Sequence, residues 1–361
     1  MNSKNSMLGK SGLGVILLSI LLILAVTIAL PFTGALLEGQ AWAQNAAETN
    51  AESNERSNFW RAVRQGVEGY TAVKGPEANV LIQNGGENWR YLRTGVVIEY
   101  GSYVILGMIG LIVVFFILFG RVKLAHGREG MTVERWSLFD RTLHWYTAIL
   151  FIILTITGLS LLFGRELLIP YIGKDAFAAY AQIAKDVHNY LGPFFAVGLI
   201  IELLKWMRHN VPRWVDVVWF FKGGGLIGRA HPSAGRMNGG EKVWYWLLFI
   251  VGLALIGSGF VLDFPGYGQT RADMQLAQLI HVVGSVILIS VALGHIYIGT
   301  LGTEGSLEGM VTGRVDTEWA KQHHDLWYDE LLAKGVLPVK TPETPHDYAA
   351  SASSEASMRR A

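Results

Sequence analysis

The chain has 361 residues, 51% hydrophobic and 16% charged, with mean hydropathy +0.32 and net charge +1. An average soluble domain carries about 25% charged residues. The shortfall here lies in long apolar runs, so the composition indicates a polytopic membrane protein and gives no electrostatic ground for nucleic-acid binding. There are no cysteines, which excludes disulfides, cysteine-ligated iron–sulfur clusters, haem attachment through C-x-x-C-H and a thiol nucleophile. Electron handling by this chain needs a non-covalent cofactor, with histidine as the obvious ligand.

The first apolar run, 12–31, follows Lys4 and Lys10, and Ala41-Trp42-Ala43 precedes Gln44 like a cleavage site. Residues 1–43 therefore read as a signal peptide. The run is longer than a usual signal core, so an uncleaved anchor is the alternative. Either way, residues 44–95 are expected outside the cytoplasmic membrane, as a small polar periplasmic segment with Trp60, Trp89 and a Gly85-Gly86 turn signal.

A membrane-crossing helix needs about 20 mainly apolar residues. Five further stretches qualify: 98–119, 143–163, 190–207, 243–262 and 278–300. The pattern is all-α, with no alternation long enough for a barrel. The first of the five is an extra transmembrane helix (96–121), and the other four lie in a domain at 135–330. Arg121, Lys123, Arg128, Arg135 and Arg141 crowd the loop 120–142, and seven Lys and Arg, from Lys205 to Lys242, crowd the loop 205–242. The loops 164–189 and 263–277 hold only Arg165, Lys174, Lys185 and Arg271. By the positive-inside rule the two basic loops are cytoplasmic, and so is the C-terminal part, with 331–361 expected as a disordered tail. No internal repeat is evident in the sequence.

Four of ten histidines fall in or beside these stretches: His144, His188, His281 and His295. An ionisable residue at membrane depth is a functional-site hypothesis by default. His281 and His295 are close to four whole helical turns apart, so they share a face, with about 21 Å between them along the axis. His188 shares the outer level with His281, and His144 the inner level with His295. Two imidazoles at each of two depths is the arrangement of two bis-histidine haems in a four-helix bundle. The alternative for any single histidine is a hydrogen bond to a neighbouring helix. Arg141, three residues before His144, can reach a haem propionate or serve as an ordinary interfacial anchor. Glu202 reads as interfacial. His126, His209, His231, His323, His324 and His346 read as loop, tail or interface residues.

The segments FDRTLHW (139–145), HNYLGPFF (188–195), RHNVP (208–212), GRMNGGEKVWYW (235–246), LIHVVG (279–284), GHIYIGTLGTEGSLEGMVTGRV (294–315) and WAKQHHDLWYDE (319–330) resemble a known family. It is the cytochrome b (gamma) subunit of membrane-bound formate dehydrogenase, within the wider bacterial cytochrome b561-like group. The resemblance implies two haem b groups, with His188 and His281 as axial ligands of the outer iron and His144 and His295 of the inner one. It implies a site for menaquinone or ubiquinone near Asn238 and Gly240, where Glu241 stands in place of a frequent glutamine. It also implies an iron–sulfur (beta) and a catalytic (alpha) formate dehydrogenase subunit as partners in the bacterial inner membrane. The same scaffold serving a hydrogenase or another quinone-linked oxidoreductase is the near alternative. A haem-free anchor or transporter is the distant one.

Overall fold

The structure, a computed structural model, describes residues 84–225 and 231–341. The apolar run 12–31, the signal-like segment and the final residues from 342 lie outside the described residues, as does residue 229. Five helices are long and apolar enough to cross a membrane: α1 (Asn88–Phe119), α2 (Leu138–Leu167), α3 (Ile169–His209), α5 (Gly239–Asp263) and α6 (Arg271–Gly302). A short helix α4 (Trp214–Phe221) lies between α3 and α5. These are the five stretches expected within the described residues. Large apolar side chains face outward along them, among them Leu106 at 64% exposure, Ile117 at 74% and Leu204 at 68%. The chain is a multi-pass helical membrane protein.

The helices are longer than their apolar cores. α3 begins at Ile169, so much of the polar stretch expected as a loop at 164–189 is helical. Its alanine-rich segment AFAAYAQIA (176–184) favours helix whatever its hydropathy. Gly173, at φ 79°, marks the one non-helical position within it. α1 likewise starts within the segment expected to be a polar appendage up to residue 95.

Helix starts are set by side-chain caps. Ser137 and Asp140 form a capping box at α2, Asn238 and Glu241 at α5, and Thr270 and Asp273 at α6. In each, the cap side chain satisfies a free amide of the first turn and the acid returns the bond to the cap's own amide. Glycines let the backbones approach: a Cβ at Gly198 of α3 would lie 2.8 Å from Thr147 Oγ1 on α2, and one at Gly252 of α5 would lie 2.8 Å from Leu199 Cδ2 on α3. The bundle core is Leu150, Val187, Leu191, Phe195, Leu199, Leu203 and Tyr245. α1 packs on α6, where Gly101 meets Val286.

One end of the bundle carries a cap. Strands β1 (Met131–Glu134), β2 (Arg314–Asp316) and β3 (Val339–Lys340) form an antiparallel sheet in the order β2-β1-β3. Helices α7 (Ser306–Thr312), α8 (Thr317–His323) and α9 (Asp325–Ala333) complete it. Its core is Leu124, Val133, Val315, Trp319, Ala320, Trp327 and Tyr328. The Thr341 amide donates to Gly130 O at 2.8 Å, so the chain past 331, expected as a tail, is tied into the cap as far as Thr341.

Candidate cofactor site

Four side chains meet in two pairs inside the bundle. At the far level, remote from the cap, His188 on α3 and His281 on α6 face each other with ring centroids 6.0 Å apart and an interplanar angle of 74°. At the cap level, His144 on α2 and His295 on α6 are 6.2 Å apart at 67°. His281 and His295 both lie in the unbroken α-helical part of α6, Arg271–Tyr297, so the levels are about 21 Å apart along the axis. The structure brings together the two pairs expected from depth alone, and His188, just ahead of the apolar stretch 190–207, sits well inside α3.

The surroundings of the two pairs differ. Behind the far pair, Nδ1 of His188 lies 2.9 Å from Thr157 Oγ1 of α2, and Nδ1 of His281 lies 3.2 Å from Ser258 Oγ of α5. A Cβ added at Gly158 would come within 3.1 Å of His188 Cε1, and one at Gly259 within 3.2 Å of His281 Cε1. Each imidazole is thus seated over a glycine and beside a hydroxyl. At the cap level His295 stacks on Trp244 (5.1 Å, 14°) and His144 meets the edge of Trp145 (5.5 Å, 72°). Trp145 Nε1 donates to Met310 O at 3.0 Å. π-helical turns, Leu248–Gly252 in α5 and Ile298–Gly302 in α6, follow Trp244 and His295. Such turns are frequent at functional sites.

These contacts reveal a repeat that the sequence hides. The hairpin α2–α3 corresponds to α5–α6. The spacing from Ser137 to Asn238 equals that from Asp140 to Glu241, Thr157 to Ser258 and Gly158 to Gly259. The spacing from His188 to His281 equals that from Glu202 to His295. The far pair is therefore symmetric. The cap pair is not: the counterparts of His144 and His295 are Tyr245 and Glu202, which lie on α5 and α3.

Glu202, expected at the interface, is 6% exposed, with Oε1 buried and unpartnered among the described residues. α3 continues for two further turns past it, and close packing of α2 at Gly198 shuts the carboxyl off. Its neighbour Leu203 accepts the Tyr245 hydroxyl at 2.6 Å.

Asn238 and Gly240 both serve the start of α5. Asn238 Oδ1 accepts the Glu241 amide at 2.9 Å, and a Cβ at Gly240 would lie 3.1 Å from Trp219 of α4. Glu241 sits one turn before Trp244, and Arg135 Nη2 lies 3.4 Å from its Oε1. Arg141 Nη1 donates to Val311 O at 2.8 Å, while its Nε is buried without a partner among the described residues.

Beyond these expected positions lies a cluster that sequence reading missed. The Arg135 guanidinium sits over Trp136 (5.3 Å), Trp319 (5.3 Å) and Trp327 (4.7 Å). Burial brings its pKa down to about 10. His324, expected as a solvated loop residue, is 1% exposed. Its Nδ1 donates to Gly235 O at 2.8 Å and its Nε2 accepts from Arg135 at 3.2 Å. Burial, reinforced by Arg135, holds it neutral, well below the ordinary histidine range. The signal was present in the run WAKQHHDLWYDE, where tryptophan spacing marks a packed face.

Residues 135–313 match the family described as prokaryotic cytochrome b561. This stretch belongs to that family. The chain also aligns with curated relatives over a little more than half its length. The nitrate-inducible formate dehydrogenase cytochrome b556(Fdn) subunit of Escherichia coli K12 is 29% identical over 206 residues, covering 55% of this chain and 91% of the relative. The formate dehydrogenase cytochrome b556(fdo) subunit of the same organism is 29% identical over 204 residues, covering 55% and 93%. The formate dehydrogenase cytochrome b556 subunit of Haemophilus influenzae is 29% identical over 203 residues, covering 54% and 82%.

The cytochrome b561 segment fits the haem b that its family implies. A metal about 2 Å from a nitrogen of each imidazole, with ring centres about 1 Å beyond, puts the centroids about 6 Å apart. The measured 6.0 and 6.2 Å match. At the far level, glycines below the rings and hydroxyls behind Nδ1 fix ring orientation, as outer-shell partners of metal-ligating histidines do.

Proposed function

We propose that this chain is the membrane cytochrome b subunit of a formate dehydrogenase complex, carrying electrons across the bilayer to a quinone. The two histidine pairs, each at iron-bridging separation and about 21 Å apart in depth, carry this reading. His188 and His281 hold one haem b at the far level; His144 and His295 hold the second at the cap level. Bound there, haem b supplies one-electron chemistry, while the chain sets ligation, depth and exclusion of water. Arg141, whose Nε is unpartnered among the described residues, serves a propionate beside His144.

The positive-inside rule, applied to the basic loops, supports a cytoplasmic cap and a far level at the periplasmic face of the inner membrane. Electrons then arrive at the His188 level from an iron–sulfur subunit, itself supplied by a catalytic subunit that oxidises formate. The chain has no cysteine with which to build such clusters itself. The formate dehydrogenase relatives support these partners. The quinone, menaquinone or ubiquinone, binds at the cap level beside His295, where Asn238, Gly240, Glu241 and Trp244 begin α5. Glu241 there faces Arg135 through Oε1 at 3.4 Å and accepts the Asn238 amide through Oε2 at 2.8 Å, so it holds the edge of the proposed quinone site in place.

Formate added to membranes containing the tagged chain tests this directly. The b-type absorbance of the purified complex should be reduced by formate and reoxidised by added quinone. Haem that responds to another donor and never to formate would assign the chain to a different oxidoreductase.

A further inference from the structure

The far pair is hydrogen-bonded from behind, and the cap pair is not. Each hydroxyl has one hydrogen, and both are already committed. Thr157 Oγ1 donates to Ile153 O at 2.9 Å, and Ser258 Oγ donates to Ala254 O at 2.7 Å. With their hydrogens on these carbonyls, the hydroxyl oxygens accept from the imidazoles, which puts the proton on Nδ1 of His188 and of His281. Leu255 O, 3.2 Å from His281 Nδ1, is a second acceptor of the same kind. Nε2 is left unprotonated on both rings, the form that ligates a metal. At the cap level, neither His144 nor His295 has a hydrogen-bond partner among the described residues, and their neighbours Trp145 and Trp244 offer ring surface instead of an acceptor.

An imidazole whose Nδ1–H donates to an acceptor is a more basic ligand. A more basic ligand favours the oxidised, more highly charged iron and so lowers its potential; hydrogen bonding around the site is one of the protein's levers on that quantity. We propose that Thr157 and Ser258 are positioning residues that hold the far-level haem at a lower potential than the cap-level haem. This inference rests on the reading that each pair ligates a haem. It gives the bundle a built-in polarity: an electron entering at the far level moves downhill toward the cap. The device is doubled by the repeat, since L-x-x-T-G at 154–158 of α2 and L-x-x-S-G at 255–259 of α5 present the same hydroxyl and the same glycine to equivalent rings.

The test is a potentiometric titration of the purified full-length chain carrying its haems. The far-level wave is identified as the one lost in His188→Ala. In wild type it should have the lower midpoint. Thr157→Val, of nearly the same shape, and Ser258→Ala should each shift that midpoint upward, additively in the double variant, and leave the cap-level midpoint in place. Thr157→Ser, which restores the oxygen, should return the wild-type value. A far-level midpoint that stays put in both single variants, or a cap-level midpoint that moves as much, would overturn the proposal. A wild-type chain showing no haem wave would instead refute the haem reading on which the proposal rests.

Discussion

His144 and His295 stand 6.2 Å apart, ring centre to ring centre, on helices that cross the bundle in opposite directions. Neither residue has an acidic partner among the described residues, and His295 is stacked on Trp244. Two neutral imidazoles at this separation leave room for one metal between them and suit no ion-pair role. The same holds for His188 and His281 at 6.0 Å.

Gly158 is required by ring clearance. A Cβ there would stand 3.1 Å from His188 Cε1, tighter than ordinary contact. Gly158→Val adds two further carbons and must push the imidazole out of line. The variant should bind one haem instead of two, read as pyridine haemochrome per chain, with the cap-level haem retained. Gly259→Val should do the same through His281. Retention of both haems in either variant would show that the rings have slack.

Glu202 is a buried carboxyl with one oxygen lacking a partner among the described residues. An unsatisfied buried polar group costs about 1–3 kcal/mol, and an apolar replacement of similar shape recovers part of that. Glu202→Met should leave the thermal midpoint of the detergent-solubilised chain unchanged or raise it. A clear drop would mean that the carboxyl has a partner when the cofactors are bound.

The cap should weaken in acid. His323 has its pKa pulled down to about 4 by burial, aided by His231 and Arg135, and His324 is likewise held well below the ordinary value. An unfolded histidine titrates near 6.5. Below that the unfolded cap binds protons that the folded cap refuses, so stability is full above about 6.5 and is lost as pH falls toward 4. Emission from Trp319 and Trp327 should report loosening between pH 6.5 and 4.5 while the haem spectrum holds. An invariant signal over that range would contradict the desolvation of these two rings.

Arg135 anchors the same cap from within. Three tryptophan faces surround its guanidinium, and a desolvated cation–π contact is worth about 2 kcal/mol or more. Arg135→Ala should lower the thermal midpoint and speed proteolysis near residues 313–330. Arg135→Lys should recover only part, because a compact ammonium cannot cover three rings. Equal stability of all three proteins would contradict this role.

The legible part of this chain was its periodicity. Apolar runs gave the five described spans, and the four-turn spacing of His281 and His295 gave two depths on one face. Hydropathy could not show that α3 runs on through polar residues, so His188 was expected at a helix start and Glu202 at an interface. The repeat escaped because only a few cap, hydroxyl, glycine and ligand positions persist on an apolar background where most residues interchange freely. The cap escaped because its strands are two to four residues long and pair across large sequence separations, as Val133 does with Val315. Local pattern carries no record of such pairing. His324 looked solvated because its partners, Arg135 and Gly235, are distant in the chain.

Haem content of single-ligand variants tests the two-site reading most directly. Wild-type chain should carry two b-type haems. His188→Ala and His144→Ala should each retain one, with different reduced-minus-oxidised spectra, and the double variant none. A wild-type chain with one haem or none, or loss of both haems from either single variant, would contradict two independent histidine-ligated sites.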